Sequence, residues 1–323
     1  MDSFPLIAPM LGYNSDSILC AFLIIHRYKE PMTPATEAFL ERNQLPESYL
    51  QFAQRWFEPL VDQIFQQYQM QKRPLVLGIN GCQGSGKSTL ADYLCSMVAE
   101  RHAIATANLS LDDFYLPLKQ RMQLSETVHP LLATRGVPGT HDIDLAIETI
   151  EQLVAGNTTR IPRFDKSIDD RVPEKDFDRV TGPAGLIILE GWCLGALPQS
   201  DSDLQQPVND LERLEDEQGI WRQYINLALA GGYQQLFAMV DQLIMLRAPS
   251  FDTVFQWRWQ QESKLQEKHS QTNRSGLMTE QQVLRFIQYF QRITEQSLAE
   301  MPGRSQHVFQ LDLDRQISNH TAI

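Results

Sequence analysis

The chain has 323 residues, enough to bury the core of one large α/β domain or two modest ones. Its composition, 42% hydrophobic and 21% charged, is that of an ordinary globular protein. A formal net charge of -12 argues against a nucleic-acid-binding surface, because phosphate backbones are held by excess Lys and Arg. A small anionic ligand stays open, since it needs only a few local cations in a cleft.

Residues 1–35 carry no clear periodicity and are read as an N-terminal extension. Their apolar run "ILCAFLII", Ile18 to Ile25, is shorter than the roughly 20 residues of a membrane span. It also lacks the basic lead and cleavage site of a signal peptide, so a cytoplasmic protein is expected. Next come Leu50, Phe52, Trp56, Phe57, Leu60, Ile64 and Phe65, whose three- and four-residue spacing predicts a helical apolar face. "PLVLGIN" is a short, wholly apolar run, as a buried parallel strand requires.

"GCQGSGKST" then joins this strand to the helical "STLADYLCSMVAERH". Gly81, Gly86, Lys87 and Ser88 fit G-x-x-x-x-G-K-[ST]. Glycines let backbone N–H groups curl around phosphate oxygens, and the helix N-terminus adds positive potential. Gly81, Cys82, Gln83, Gly84, Ser85, Gly86, Lys87, Ser88 and Thr89 are therefore the expected nucleotide loop, with Lys87 on the β- and γ-phosphates and Ser88 on Mg²⁺. The four cysteines, Cys20, Cys82, Cys95 and Cys193, form no CxxC pair, which reads as a reducing compartment without structural zinc. For Cys82 and Cys193, small buried side chains are the plainer reading and a redox link the alternative.

"AIATANLSL" is a second expected strand, and "DDFY" at its end puts Asp112 and Asp113 on the edge that carries the phosphate loop, because ligands of parallel sheets gather at the carboxyl ends of the strands. A carboxylate there can take the proton of an attacking hydroxyl; an Asp pair that only caps a turn is the alternative. "RGVPGTHD" combines a Pro138-Gly139 turn with Arg135, His141 and Asp142. "DLAIETIEQLVAG" is a helix ended by Gly156, and "RFDKSIDDR" brings Arg163, Lys166 and Arg171 into one short stretch. Such groups can converge on a small anion, whose carboxylate an Arg fork clamps. On composition alone a solvated surface of alternating charges is the plainer reading, and it is position relative to the phosphate loop that favours the site. His141 is equally a structural hydrogen-bonding residue.

"GLIILEGW", "QLIMLRA" and "HVFQLDL" are three further strands. Glu190 closes the first of them, where an acid beside the phosphate loop holds Mg²⁺ through water. The polar, acidic stretch 197–219 reads as a partly helical surface insertion, and long helices are expected over 251–268 and 279–300. The sum is an α/β P-loop fold in three layers, with a mostly parallel sheet of about five strands in one domain over 36–323.

A phosphate loop followed by "DDFY" at this spacing resembles the phosphoribulokinase/uridine kinase family. "TRGVPGTHDIDL", "RFDKSIDDRVPEKD", "ILEGWCLG", "PVNDLE" and "FDTVFQWRWQQE" are similar, in order, to the D-glycerate 3-kinases within it, over about residues 45–315. The resemblance implies ATP and Mg²⁺, Asp112 as catalytic base, Tyr115 beside it in the acceptor site, and D-glycerate as acceptor. No obligate protein partner follows from it. It also implies a basic lid over about 251–276, in which Arg258 is the leading cation and Lys264, Lys268 and Arg274 are others, with Arg247 just before it after a strand; Trp257 and Trp259 read as packing residues. Uridine, pantothenate or a sugar phosphate as acceptor, and a non-catalytic nucleotide switch, are the alternatives.

Overall fold

Strand β1, Leu75–Gly81, is buried along its whole length, and the chain is arranged around it. The structure, a computed structural model, describes residues 32–269 and 278–323, and all their side chains except 264, 265 and 267–269. "ILCAFLII", Cys20 and Arg274 lie outside the described residues, as do the side chains of Lys264 and Lys268.

Three helices precede β1: α1 (Pro34–Asn43), α2 (Tyr49–Trp56) and α3 (Glu58–Gln71). The apolar face read from Leu50 to Phe65 is thus shared by two helices that meet at Phe57, with Pro59 in the first turn of α3, where its missing N–H costs nothing. After β1 come α4 (Lys87–His102), β2 (Thr106–Ser110), α5 (Leu118–Thr127) and α6 (Ile143–Val154). Four very short strands follow: β3 (Thr159–Ile161), β4 (Phe164–Asp165), β5 (Asp170–Arg171) and β6 (Asp178–Val180). The chain then forms β7 (Leu186–Gly191), α7 (Ile220–Ala228), β8 (Gln242–Arg247), α8 (Phe251–His269), α9 (Glu280–Glu300), β9 (His307–Leu311) and β10 (Ile317–Ala322).

The main sheet has six strands in the order β10-β9-β8-β1-β7-β2. The five strands expected from sequence are the parallel ones. Strand β10 is an addition: it pairs antiparallel with β9 at the sheet edge, and its mostly solvent-facing residues "ISNHTA" leave no apolar run to read. The pairs β3–β6 and β4–β5 are separate antiparallel ribbons, too short for any periodicity.

Successive residues of the central strands bury on opposite sides, as the two-residue period of a strand demands. Leu75, Leu77, Ile79, Leu186 and Ile188 join the cluster under α1, α3 and α4. Val76, Ile187 and Leu189 join the cluster under α6, α7 and α9. Two buried faces explain the continuous apolar runs. β1 pairs with β7 and β8 rather than with β2, so a crevice opens at the carboxyl ends of the strands. Ile79 of β1 and Ser110 of β2 both stand opposite Glu190 of β7, which levels the phosphate loop, Glu190 and the Asp112 turn on one edge.

Within residues 197–219 two short helices form, Asp201–Leu204 and Asp210–Glu215. The segment is anchored by buried charge pairs: Arg292 of α9 donates to Glu212 at 2.6 Å, and Arg222 donates to Asp216 at 3.1 Å. Among the described residues no helix is long and apolar enough to cross a membrane.

Candidate active site

The phosphate loop leaves β1 and enters α4 through Gly86, whose φ of 90° is left-handed. A Cβ at Gly86 would meet nothing within 4 Å, so the N-terminus of α4 opens onto free space rather than packed protein. Inside the loop, Ser85 Oγ and Gln83 Oε1 are buried without a hydrogen-bond partner, which marks polar groups that a ligand would satisfy. Burial alone would lower the Lys87 ammonium, but Glu190 and Asp112 outweigh it and raise its pKa, so the charge is retained. Lys87 Nζ lies 3.6 Å from Glu190 Oε2, and Ser88 Oγ donates to Glu190 Oε1 at 2.7 Å. Glu190 Oε2 itself accepts no hydrogen bond. Cys82, Cys95 and Cys193 are free and buried. Burial pushes the Cys82 thiol up to about 12, the state of an inert packing residue.

The two acids after β2 part company. The Ser110 hydroxyl accepts the Asp112 N–H at 3.3 Å and starts a tight turn, Leu111–Phe114, whose Leu111 and Phe114 are buried. Asp113 is a tether: it accepts from Arg163 at 2.5 Å and from the Phe164 N–H at 3.3 Å, fixing the β4–β5 ribbon. Asp112 instead lines a cavity of 280 Å³ together with Lys87, Tyr115, Arg135, Lys166 and Arg258. Its carboxylate accepts from Lys166 Nζ at 2.7 Å. Burial would raise this carboxyl, but Lys166 and Lys87, helped by the Tyr115 hydroxyl, hold it down at about 2. Burial, reinforced by Asp112, pushes the Tyr115 phenol well above its ordinary value, so it remains a donor.

"RGVPGTHD" is strapped alongside this turn, with Leu116 N–H donating to Thr140 at 2.9 Å and Asp142 N–H to Phe114 at 2.7 Å. Arg135 reaches the cavity from it, ion-paired to Asp169 and lying 5.5 Å over the Phe164 ring. The Tyr233 hydroxyl accepts the Gly139 N–H at 3.0 Å and sits 2.5 Å from His141 Nδ1. The two groups share one hydrogen bond, whose donor is set by the imidazole tautomer. Burial lowers the His141 pKa to about 4, keeping the ring neutral, and Nε2 is buried without a partner. His141 thus holds the turn through Nδ1 and leaves its other ring nitrogen without a partner.

Three expected acceptor residues do not line the cavity. Arg163 is shared between Asp113 and Asp178. Asp142 caps α6, accepting from the Leu145 N–H at 3.3 Å, and also accepts from Arg171 at 3.1 Å. His141 lies behind Tyr115, ring centroids 4.8 Å apart. Arg163 and Asp142 are already taken up by these partners, whereas His141 engages Tyr233 through Nδ1 alone. Arg258 does reach the cavity, from α8, and is paired with buried Glu262 at 2.9 Å. Trp257 is fully buried, a packing residue as expected.

The sequence reading missed a second cavity, of 390 Å³, on the other side of the phosphate loop. Its lining includes Ser85, Gly86 and Thr89 of the phosphate loop and α4, Tyr49 and Phe52 of α2, and Arg315 and Ile317 near the end of the chain. No local motif announces it, because its walls come from both ends of the chain.

No protein-family model matches the chain. It is 31% identical over 248 residues to "Uncharacterized kinase mug58" of Schizosaccharomyces pombe, across 72% of this chain and 86% of that protein. The structure is similar to that of "D-glycerate 3-kinase from Cryptococcus neoformans", with a TM-score of 0.68, 26% identity, and coverage of 82% of this chain and 98% of the other. The chain belongs to the P-loop kinase family that includes the D-glycerate 3-kinases. This kinase is also 28% identical over 261 residues to "D-glycerate 3-kinase, chloroplastic" of Arabidopsis thaliana, across 75% of the chain but only 53% of the plant protein. It is a phosphotransferase with an alcohol acceptor, and its phosphate loop and parallel sheet are the family's shared frame.

Proposed function

We propose that this kinase transfers the γ-phosphate of ATP to a hydroxyl of D-glycerate, giving 3-phosphoglycerate. The observation that carries the reading is Asp112, ionised in one small cavity with Lys87 and three further cations, Arg135, Lys166 and Arg258. A small anion with free hydroxyls suits that lining, and the names of the plant and fungal relatives supply the acceptor.

In the reaction the acceptor oxygen bonds to the γ-phosphorus, the bond from that phosphorus to the ADP oxygen breaks, and the hydroxyl proton passes to Asp112. A loose transition state leaves the proton on the hydroxyl until late, so a carboxylate of low basicity suffices. Lys87 and Arg258 neutralise charge on the phosphoryl group, and Arg135 clamps the acceptor carboxylate as a fork. Ser88 and Glu190 would hold Mg²⁺, which when bound supplies positive charge at the phosphates. The fit rests on Glu190 Oε2, buried beside Ser88 with no hydrogen bond of its own. Helix α8 would form the first part of the lid read over 251–276, whose residues 270–276 lie outside the described ones.

The test is ADP release by the purified protein with Mg²⁺-ATP and, in turn, D-glycerate, L-glycerate, uridine, pantothenate, ribulose 5-phosphate or no acceptor. Turnover of about 1 s⁻¹ or faster with D-glycerate alone is expected. Stimulation by a different acceptor only, or by none, overturns the assignment.

A further inference from the structure

Arg315 stands where three pieces of the molecule meet, and nothing in the nucleotide motif or the acceptor blocks accounts for it. It occupies the turn between β9 and β10 with a φ of 64°, a left-handed conformation uncommon for a residue other than Gly, Asn or Asp. The turn is held by Asp312, whose carboxylate accepts the N–H groups of Asp314 at 2.9 Å and Gln316 at 2.8 Å. From there the guanidinium donates through Nε to the Gly84 carbonyl of the phosphate loop at 3.0 Å. Its Nη2 donates to Gln260 Oε1 at 3.0 Å, and the group lies 5.2 Å over the ring of Trp257. Both of these partners are on α8.

The junction is closed from the other side as well. Trp257 Nε1 donates to the Leu313 carbonyl of the same turn at 2.7 Å. A Cβ on Gly84 would come within 3.3 Å of Trp257 and Gln261, so α8 rests directly on the phosphate loop. The next residue after Trp257 is Arg258, which lines the cavity with Lys87 and Asp112.

We propose that Arg315 is a positioning residue for phosphoryl transfer: its planar guanidinium pins α8 to the phosphate loop and thereby sets Arg258 against the transferring group. The proposal rests on the reading of Arg258 given above. A planar fork is required, because one group must donate in two directions and stack on an indole at once. A lysine ammonium keeps the charge and loses both the plane and the fork.

The experiment is steady-state kinetics with Mg²⁺-ATP and D-glycerate for wild type, Arg315→Ala, Arg315→Lys, Arg258→Ala and the Arg258→Ala/Arg315→Ala double variant. Arg315→Ala and Arg315→Lys are both expected to lower kcat by about 10- to 100-fold, the cost of misplacing a catalytic group by about an ångström. The KM for ATP should stay within about threefold, because the phosphate contacts themselves remain. In the Arg258→Ala background the Arg315→Ala change should cost less than about threefold more. Wild-type kcat in Arg315→Lys, a loss confined to KM, or full additivity in the double variant would overturn the proposal. Should Arg315→Ala melt below the assay temperature, Arg315→Met, which keeps the aliphatic stem over Trp257, is read the same way. Failure of the acceptor assignment would show in the wild type as no turnover with D-glycerate. Failure of the Arg258 reading would show as wild-type kcat in Arg258→Ala, with Arg315→Ala still slow.

Discussion

Lys87 and Lys166 both act on Asp112, yet they are held in different ways. Lys87 opens a long helix at the end of a central strand, and its side chain is 17% exposed; Lys166 sits on a ribbon of two-residue strands and is 59% exposed. The phosphate end of the site is therefore part of the core, while the acceptor end is a set of short ribbons fastened by ion pairs. An exposed pair such as Lys166–Asp112 is worth about 1 kcal/mol or less, so Lys166 can exchange Asp112 for an acceptor carboxylate at small cost. The lesson is a division of labour: one end is rigid for charge stabilisation, the other loosely fastened for recognition.

Lys87→Ala is the sharpest way to break that comparison. Loss of this cation should lower kcat by about 10³-fold in steady-state assays, and a smaller effect than that of Lys166→Ala would reverse the assignment of the two ends. Ile188→Ala, in the strand behind Glu190, should cost about 2–5 kcal/mol by urea denaturation, since it opens a cavity between packed layers. Lys166→Ala should change global stability by about 1 kcal/mol or less in the same experiment.

The pH dependence separates the two ends further. Asp112 is depressed to about 2 in the folded protein, so its contribution to stability is present above the ordinary carboxylate range and is lost as pH falls through about 2. Removing the Lys166 cation favours the protonated carboxyl and raises this value. The acid limb of kcat/KM in Lys166→Ala should accordingly move to higher pH, with the KM for the acceptor raised as well. An unmoved acid limb would mean that Lys166 does not act on Asp112 in solution.

How much of this was legible in the sequence follows the same division. The central strands β1 and β7 were readable because both faces of each are covered, which leaves continuous apolar runs; edge strand β2 shows only the alternation of one covered face, and β10, exposed at the other edge, left no run. The phosphate loop was readable because all its parts lie within a few residues of one another. Asp112 was readable as an acid at a strand end, but its separation from Asp113 depends on Arg163 and Phe164, some fifty residues away. Spacing alone did not reveal that Arg135 lines the cavity while Arg163 is consumed by Asp113 and Asp178, because the choice is made by long-range ion pairs. Arg315 carried no signal at all: its contacts with Gly84 span most of the chain.

The measurement that bears most directly on the account is Asp112→Asn, assayed for ATP binding by calorimetry and for transfer to D-glycerate in single turnover. Binding within about threefold of wild type, with transfer slowed by about 10³-fold, is the predicted result, because the amide keeps the shape of the carboxylate and loses its capacity to take a proton. Transfer at the wild-type rate would contradict Asp112 as the base and with it the proposed acceptor site.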